Sequence, residues 1–186
     1  MGMVRVRMAW VAAGLALVAM VACLWWRATQ PPAWVSWEQR TTTCDLDGDG
    51  SDELISLAGR RVAVVRADSA IADETPEHWQ VSDVWVGDVT RDGTPDLVLL
   101  MWRRGDYGTH HPFWDEGTQD VSQHLCVLTF ADGGLRLAWE SSSFGFEVAS
   151  MSLDDAGDLH LVRRDTGEES VWHWPGWGFE RVTGQR

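Results

Sequence analysis

Residues 45 to 53, Asp-Leu-Asp-Gly-Asp-Gly-Ser-Asp-Glu, constrain this chain more than any other stretch. They place carboxylates at loop positions 1, 3, 5, 8 and 9 and a glycine at position 6. Acids packed this densely repel one another unless a cation sits among them. Gly50 permits the left-handed backbone that a tight curl needs. A hard cation such as Ca²⁺ takes roughly six to eight oxygen ligands at about 2.3–2.6 Å, and alternate Asp side chains on a curled backbone supply them. On this reading Asp45, Asp47 and Asp49 give side-chain oxygens, Ser51 a backbone carbonyl, and Glu53 closes the cage. The competing reading is an acidic, glycine-rich turn that binds nothing.

The flanks decide which kind of loop this is. An EF-hand needs a Glu at position 12 and a helix on each side, but position 12 is Ser56. The approach is Thr41, Thr42, Thr43, Cys44, and the exit is Leu54, Ile55, Ser56, Leu57. Both are short runs suited to strands, so strand, loop, strand is the local expectation.

The pattern recurs 43 residues later. Asp88, Asp92, Gly93, Asp96 and Leu97 match positions 1, 5, 6, 9 and 10 of the first loop, with Thr90 at position 3. A decayed third copy ends at Asp158 and Leu159; it aligns Ser150, Ser152 and Asp154 with positions 1, 3 and 5, a set that predicts no tight ion site. Hairpins repeat as well, since Cys126 to Trp139 aligns without gaps on Ser170 to Thr183. Each has a glycine-rich turn at its centre, Ala131 to Gly134 and Pro175 to Gly178, as antiparallel connections require. Arg61 to Arg66 with Ala67, Asp68 and Ser69 takes the corresponding place in the first unit.

Three units of about 43 residues, each of four short strands, have the period of β-propeller blades. Leu97 to Trp102 is continuously apolar, as a strand buried on both faces should be. The expected fold is all-β, three four-stranded propeller-like blades after one N-terminal transmembrane helix. The chain resembles the FG-GAP and VCBS repeat group, the calcium-loop propeller blades of integrin alpha chains and many bacterial surface proteins. The resemblance covers residues 41 to 183, in units of about 41–80, 81–145 and 146–183. It implies Ca²⁺ near the first turn of a blade, supporting the fold, with ligands Asp45, Asp47, Asp49 and Glu53 and then Asp88, Asp92 and Asp96 with Thr90 as a weaker member. Propellers usually close with four or more blades. Either a second copy or a partner completes this one, or the three sheets bury their own faces.

Met8 to Trp26 is nineteen residues without a charge, enough to span a bilayer as a helix. Arg5 and Arg7 precede it and only Arg27 follows closely. That asymmetry puts residues 1–7 in the cytoplasm and the rest outside, with Trp25 and Trp26 at the outer interface. Residues 27–40 read as a linker in which Trp34 to Trp37 could add a strand, and 184–186 as a tail. An uncleaved anchor, lipidation at Cys23 and a removed signal peptide are the open fates of the segment; each exports the domain to the periplasm or cell surface.

The chain carries 28 acidic residues against 15 basic ones, which argues against nucleic acid as a partner. Cys44 and Cys126 are two free thiols or a pair in an oxidising compartment. The surplus Arg103 to Gln123 is a long loop on a β scaffold, where binding function concentrates. Its candidate binding residues are Arg104, Asp106, His110, His111 and Trp114; Arg104-Gly105-Asp106 is a short adhesion-like triplet of low specificity. No nucleophile, base and orienting acid can be assembled. The leading expectation is a membrane-anchored, extracytoplasmic, calcium-binding module for a protein or glycan, or for envelope scaffolding. The alternative is a propeller-type hydrolase or lyase using His110, His111, Asp115 and Glu116.

Overall fold

The computed structural model describes residues 15–27, 29–68 and 70–182. The expectations for residues 1–14, for Ser69 and for the tail 184–186 lie outside those residues. The described chain is mostly β, with one short helix, α1, over residues 15–27. Among the described residues no helix is long and apolar enough to cross a membrane.

Among the described residues, twelve strands form three antiparallel four-stranded sheets, each a simple up-and-down meander. The first contains β1 (Arg40–Cys44), β2 (Glu53–Ala58), β3 (Arg61–Val65) and β4 (Ile71–Glu74). The second contains β5 (Gln80–Gly87), β6 (Asp96–Arg104), β7 (Val121–Ala131) and β8 (Gly134–Glu140). The third contains β9 (Val148–Leu153), β10 (Leu159–Arg163), β11 (Glu169–His173) and β12 (Glu180–Arg181).

Side-chain periodicity explains the layering. In β2, Glu53, Ile55 and Leu57 are buried while Leu54, Ser56 and Ala58 alternate toward the outside, the period of two that one covered face imposes. In β6, by contrast, every residue from Asp96 to Trp102 is buried, because the second sheet is covered on both sides. Leu97, Leu99, Met101, Cys126 and Leu128 pack with Ile55, Leu57, Val62 and Val64 of the first sheet. Val98, Leu100, Leu125 and Val127 pack with Met151, Leu159, Leu161, Trp174 and Phe179 of the third. Each fully buried Val or Leu contributes about 1.5–3 kcal/mol relative to exposure, so the middle sheet ties the other two into one structure. The outward faces are more polar: Thr41, Thr43 and Ser56 on the first sheet, Ser150, Ser152 and His160 on the third. Cys44 and Cys126 are both free thiols.

Residues 29–39 hold no strand. They lie across the end of the three sheets as a strap. Val35 is buried, and the Glu38 N–H donates to the Ser82 carbonyl at 3.2 Å. One arginine from each sheet covers an indole of the N-terminal segment: Arg60 over Trp37 at 4.0 Å, Arg104 over Trp25 at 5.4 Å and Arg164 over Trp34 at 4.3 Å. Trp34 also meets Trp102 edge-on at 5.8 Å. The β2–β3, β6–β7 and β10–β11 connections therefore share the end at which the chain enters. The acidic loops between first and second strands lie at the other end, where Arg91 reaches Asp158 at 4.0 Å.

Candidate metal centre

The β1–β2 connection closes directly on its strands, with Cys44 paired to Glu53. Asp45 sits at its mouth and accepts the Gly48 and Gly50 N–H groups on its two oxygens, at 2.8 and 3.0 Å. Asp47 Oδ1 accepts the Asp49 N–H at 3.2 Å, and Asp49 Oδ1 accepts the Ser51 N–H at 2.7 Å. Gly48 and Gly50 have φ of 74° and 87°, the left-handed backbone that turns the loop back on itself. As a result, ligand atoms of Asp45, Asp47 and Asp49 lie within 4.8 Å of one another.

Glu53 does not join that set. It is 2% exposed and its Oε2 accepts the Leu46 N–H at 2.9 Å, pinning the start of the loop to the start of β2. Leu46 itself is fully buried, so the loop is plugged into the core beneath its acidic rim.

The β5–β6 connection repeats this backbone. Gly87 pairs with Asp96 across it, and Asp88 accepts the Asp92 and Gly93 N–H groups at 3.1 and 3.0 Å. Arg91 and Gly93 have φ of 61° and 94°, matching Gly48 and Gly50, and Val89 is buried where Leu46 is buried. The chemistry of the rim differs. Thr90 donates both its N–H and its hydroxyl to Asp96 Oδ2 at 2.9 Å, and Thr94 donates both of its groups to Asp92 Oδ1. Among the described residues, Asp88, Asp92 and Asp96 form no set of converging ligand atoms comparable to the first loop. Asp96 is nonetheless 0% exposed with Oδ1 unpartnered. Burial, and then the nearby charges of Asp92 and Asp88, hold its pKa above the ordinary carboxylate range.

The third connection departs from the sequence alignment. Ser150 and Ser152 lie inside β9, paired with Val162 and His160, so they are strand residues and not loop positions. The turn is only Asp154 to Asp158, and it is Asp154 that follows the strand directly, where Asp45 and Asp88 stand in the other two sheets. It accepts the Ala156 and Asp158 N–H groups at 2.9 Å. This connection is three residues shorter than the other two, so an ungapped alignment anchored at Asp158 and Leu159 ran back into β9.

No family model, curated protein or solved structure matches the chain.

At the opposite end, the loop 105–120 is anchored by a buried polar knot that sequence reasoning missed. His124, 0% exposed, places Nδ1 2.7 Å from the Ser141 carbonyl and Nε2 2.8 Å from Ser122 Oγ and 3.0 Å from the Gly105 carbonyl. Burial above all, and then the charge of Arg103, lowers its pKa against the opposing pull of these carbonyls. The Ser122 hydroxyl donates to the Gly105 carbonyl at 2.5 Å, so serine, histidine and the root of the loop share one buried cluster. Arg103 joins Glu140 through Nε and the Tyr107 carbonyl through Nη2. No local pattern in β7 signals this, because its partners come from separate segments.

The five candidate binding residues separate into two groups. Arg104 lies over Trp25, the Gly105 N–H donates to the Asp120 carbonyl at 2.9 Å, and Asp106 accepts the Thr118 N–H at 2.9 Å. The triplet is thus woven into the root of the loop. His110, His111 and Trp114 are exposed farther out. The histidines form no ligand cluster with Asp115 and Glu116 among the described residues; Asp115 is occupied by the Tyr107 hydroxyl at 2.7 Å and the Gly117 N–H at 2.9 Å.

Proposed function

We propose that this chain is a membrane-anchored, extracytoplasmic calcium-binding β module that presents its 105–120 loop to a protein or glycan. The observation that carries the calcium reading is the convergence of Asp45, Asp47 and Asp49 within 4.8 Å on a loop plugged into the core by Leu46 and Glu53. Their donor set is all hard oxygen, and no hydrogen bond among the described residues engages the Oδ2 atoms of Asp47 and Asp49. When bound there, Ca²⁺ neutralises the rim and cross-links the β1–β2 turn, and the Ser51 carbonyl is in the same loop. Asp88, Thr90, Asp92 and Asp96 would give at most a weaker second site, because their ligand atoms do not converge as those of the first loop do and threonine hydroxyls already serve two of the carboxylates.

The repeated loop backbone, 43 residues apart, supports kinship with FG-GAP and VCBS blades. The polar outward faces and the strap that touches every sheet favour a self-contained three-sheet domain over a sector awaiting further blades. Anchoring rests on the uncharged run Met8 to Trp26, of which α1 is the described part. A binding role follows from a long loop held rigidly at its root and exposed at its tip. Calcium titration of the full chain in detergent tests the reading. Saturable stabilisation, lost in Asp45→Asn or Asp47→Asn, supports it; an unchanged melting curve refutes it.

A further inference from the structure

We propose that the tip of the 105–120 loop is a second membrane contact, resting on the headgroup level of the same bilayer that receives the N-terminal segment. This inference rests on the anchored reading above. Phe113 and Trp114 are 91% and 75% exposed, and they stack edge to face at 4.7 Å. Two adjacent bare aromatics on a loop cost solvation unless something apolar covers them. They are also presented on a firm support: Tyr107 is bonded to Asp115, Asp106 to Thr118 and Gly105 to Asp120.

Position selects the bilayer as the occupant. The root of the loop adjoins the end of α1, with Arg104 over the Trp25 ring at 5.4 Å. A cleft there is lined by Trp26 and Arg27 on one side and Asp120 and Val121 on the other. The exposed apolar surface of α1, including Leu17, Val18, Val21, Leu24 and Trp25, thus ends beside the root of the loop whose tip carries the aromatic pair. Amphipathic rings are favoured at the membrane–water boundary. Asp115 and Glu116 beside the tip limit its depth to the headgroups, and the chain's net charge of −13 selects a zwitterionic surface over an anionic one.

The test uses the full chain in phosphatidylcholine vesicles, with and without bromine-labelled acyl chains that quench nearby indoles. Trp25→Phe/Trp26→Phe reports on the anchor and Trp114→Phe on the tip. Both are expected to lower the quenchable part of the fluorescence. Phe113→Ser, which keeps the Trp114 reporter, is expected to remove at least half of the Trp114 contribution. All these positions are exposed, so circular dichroism should match the parent chain. If the Trp25/Trp26 variant loses quenching and Trp114→Phe does not, the tip is not on the bilayer and this inference falls while anchoring stands. If neither variant changes the quenching, anchoring and tip contact fall together. Full Trp114 quenching in Phe113→Ser would also overturn the proposal, because insertion would not depend on the aromatic pair.

Discussion

Asp47→Asn should change the sign of its effect on stability when calcium is added. Without calcium, three carboxylates crowd within 4.8 Å. Two unit charges at that distance in water repel by about 0.9 kcal/mol, and physiological salt screens roughly half of this. Relieving the two pairs that involve Asp47 should therefore stabilise the chelated protein by about 1 kcal/mol. Asparagine keeps the oxygen that accepts the Asp49 N–H at 3.2 Å, so that hydrogen bond cancels from the comparison. For a domain of about 140 residues the gain corresponds to roughly 3–5 °C in Tm. With calcium the balance reverses. A site with Kd of about 10⁻⁴ M, within the range of extracellular modules, adds about 2.7 kcal/mol at a hundredfold excess of ion. If losing one of three anionic ligands weakens binding about a hundredfold, the increment drops to about 0.4 kcal/mol. Differential scanning fluorimetry of the full chain in detergent, with chelator and with 10 mM Ca²⁺ (about a hundred times that Kd), measures both arms. The variant should melt above the parent in chelator and below it in calcium. The same order in both buffers, or a parent unmoved by calcium, would refute the electrostatic reasoning.

Thr90→Ala should cost less of the calcium increment than Asp47→Ala, because it removes no formal charge; the same melting experiment decides it. His124 gives a pH dependence of defined sign. Its folded pKa lies below the ordinary value, so the unfolded chain binds the proton more readily, and stability present above about pH 6.5 is lost as pH falls through the folded value. Relative to His124→Gln, the parent should lose Tm between about pH 7.5 and 5.5, a range of about one unit above and below 6.5; parallel curves would contradict this. Trp34→Ala removes an aromatic pair and a cation–π contact and should cost about 1–2 kcal/mol, read as a lower urea midpoint. Gly108→Ala would place a Cβ 2.2 Å from the Glu140 carbonyl oxygen. It should lift the loop from β8 and speed proteolysis within 105–120 while leaving the calcium response intact.

Local chemistry made much of this legible. The Asp and Gly spacing of residues 45–53 and 88–96 encodes a backbone bend through short-range N–H to carboxylate bonds, and the structure repeats that bend twice. The continuous apolar run Leu97 to Trp102 encodes a strand covered on both faces, because no exposed face is left to carry polar residues. Three features were not legible, each for a physical reason. The third turn is shortened, so a fixed period slid Ser150 and Ser152 out of β9 and into a loop. The strap of residues 29–39 has no periodicity; its place is set by Arg60, Trp102 and Arg164, which are distant in sequence. The His124 knot likewise joins Ser122, Ser141 and Gly105 across strands, and nothing within any one segment announces it.

The most direct measurement of the central claim is isothermal titration calorimetry of the chelator-stripped full chain with CaCl₂. The account predicts a saturable site with Kd on the order of 10⁻⁴ to 10⁻³ M, abolished when Asp45, Asp47 and Asp49 are changed together to asparagine. A flat isotherm, or one that survives those three substitutions, would contradict it.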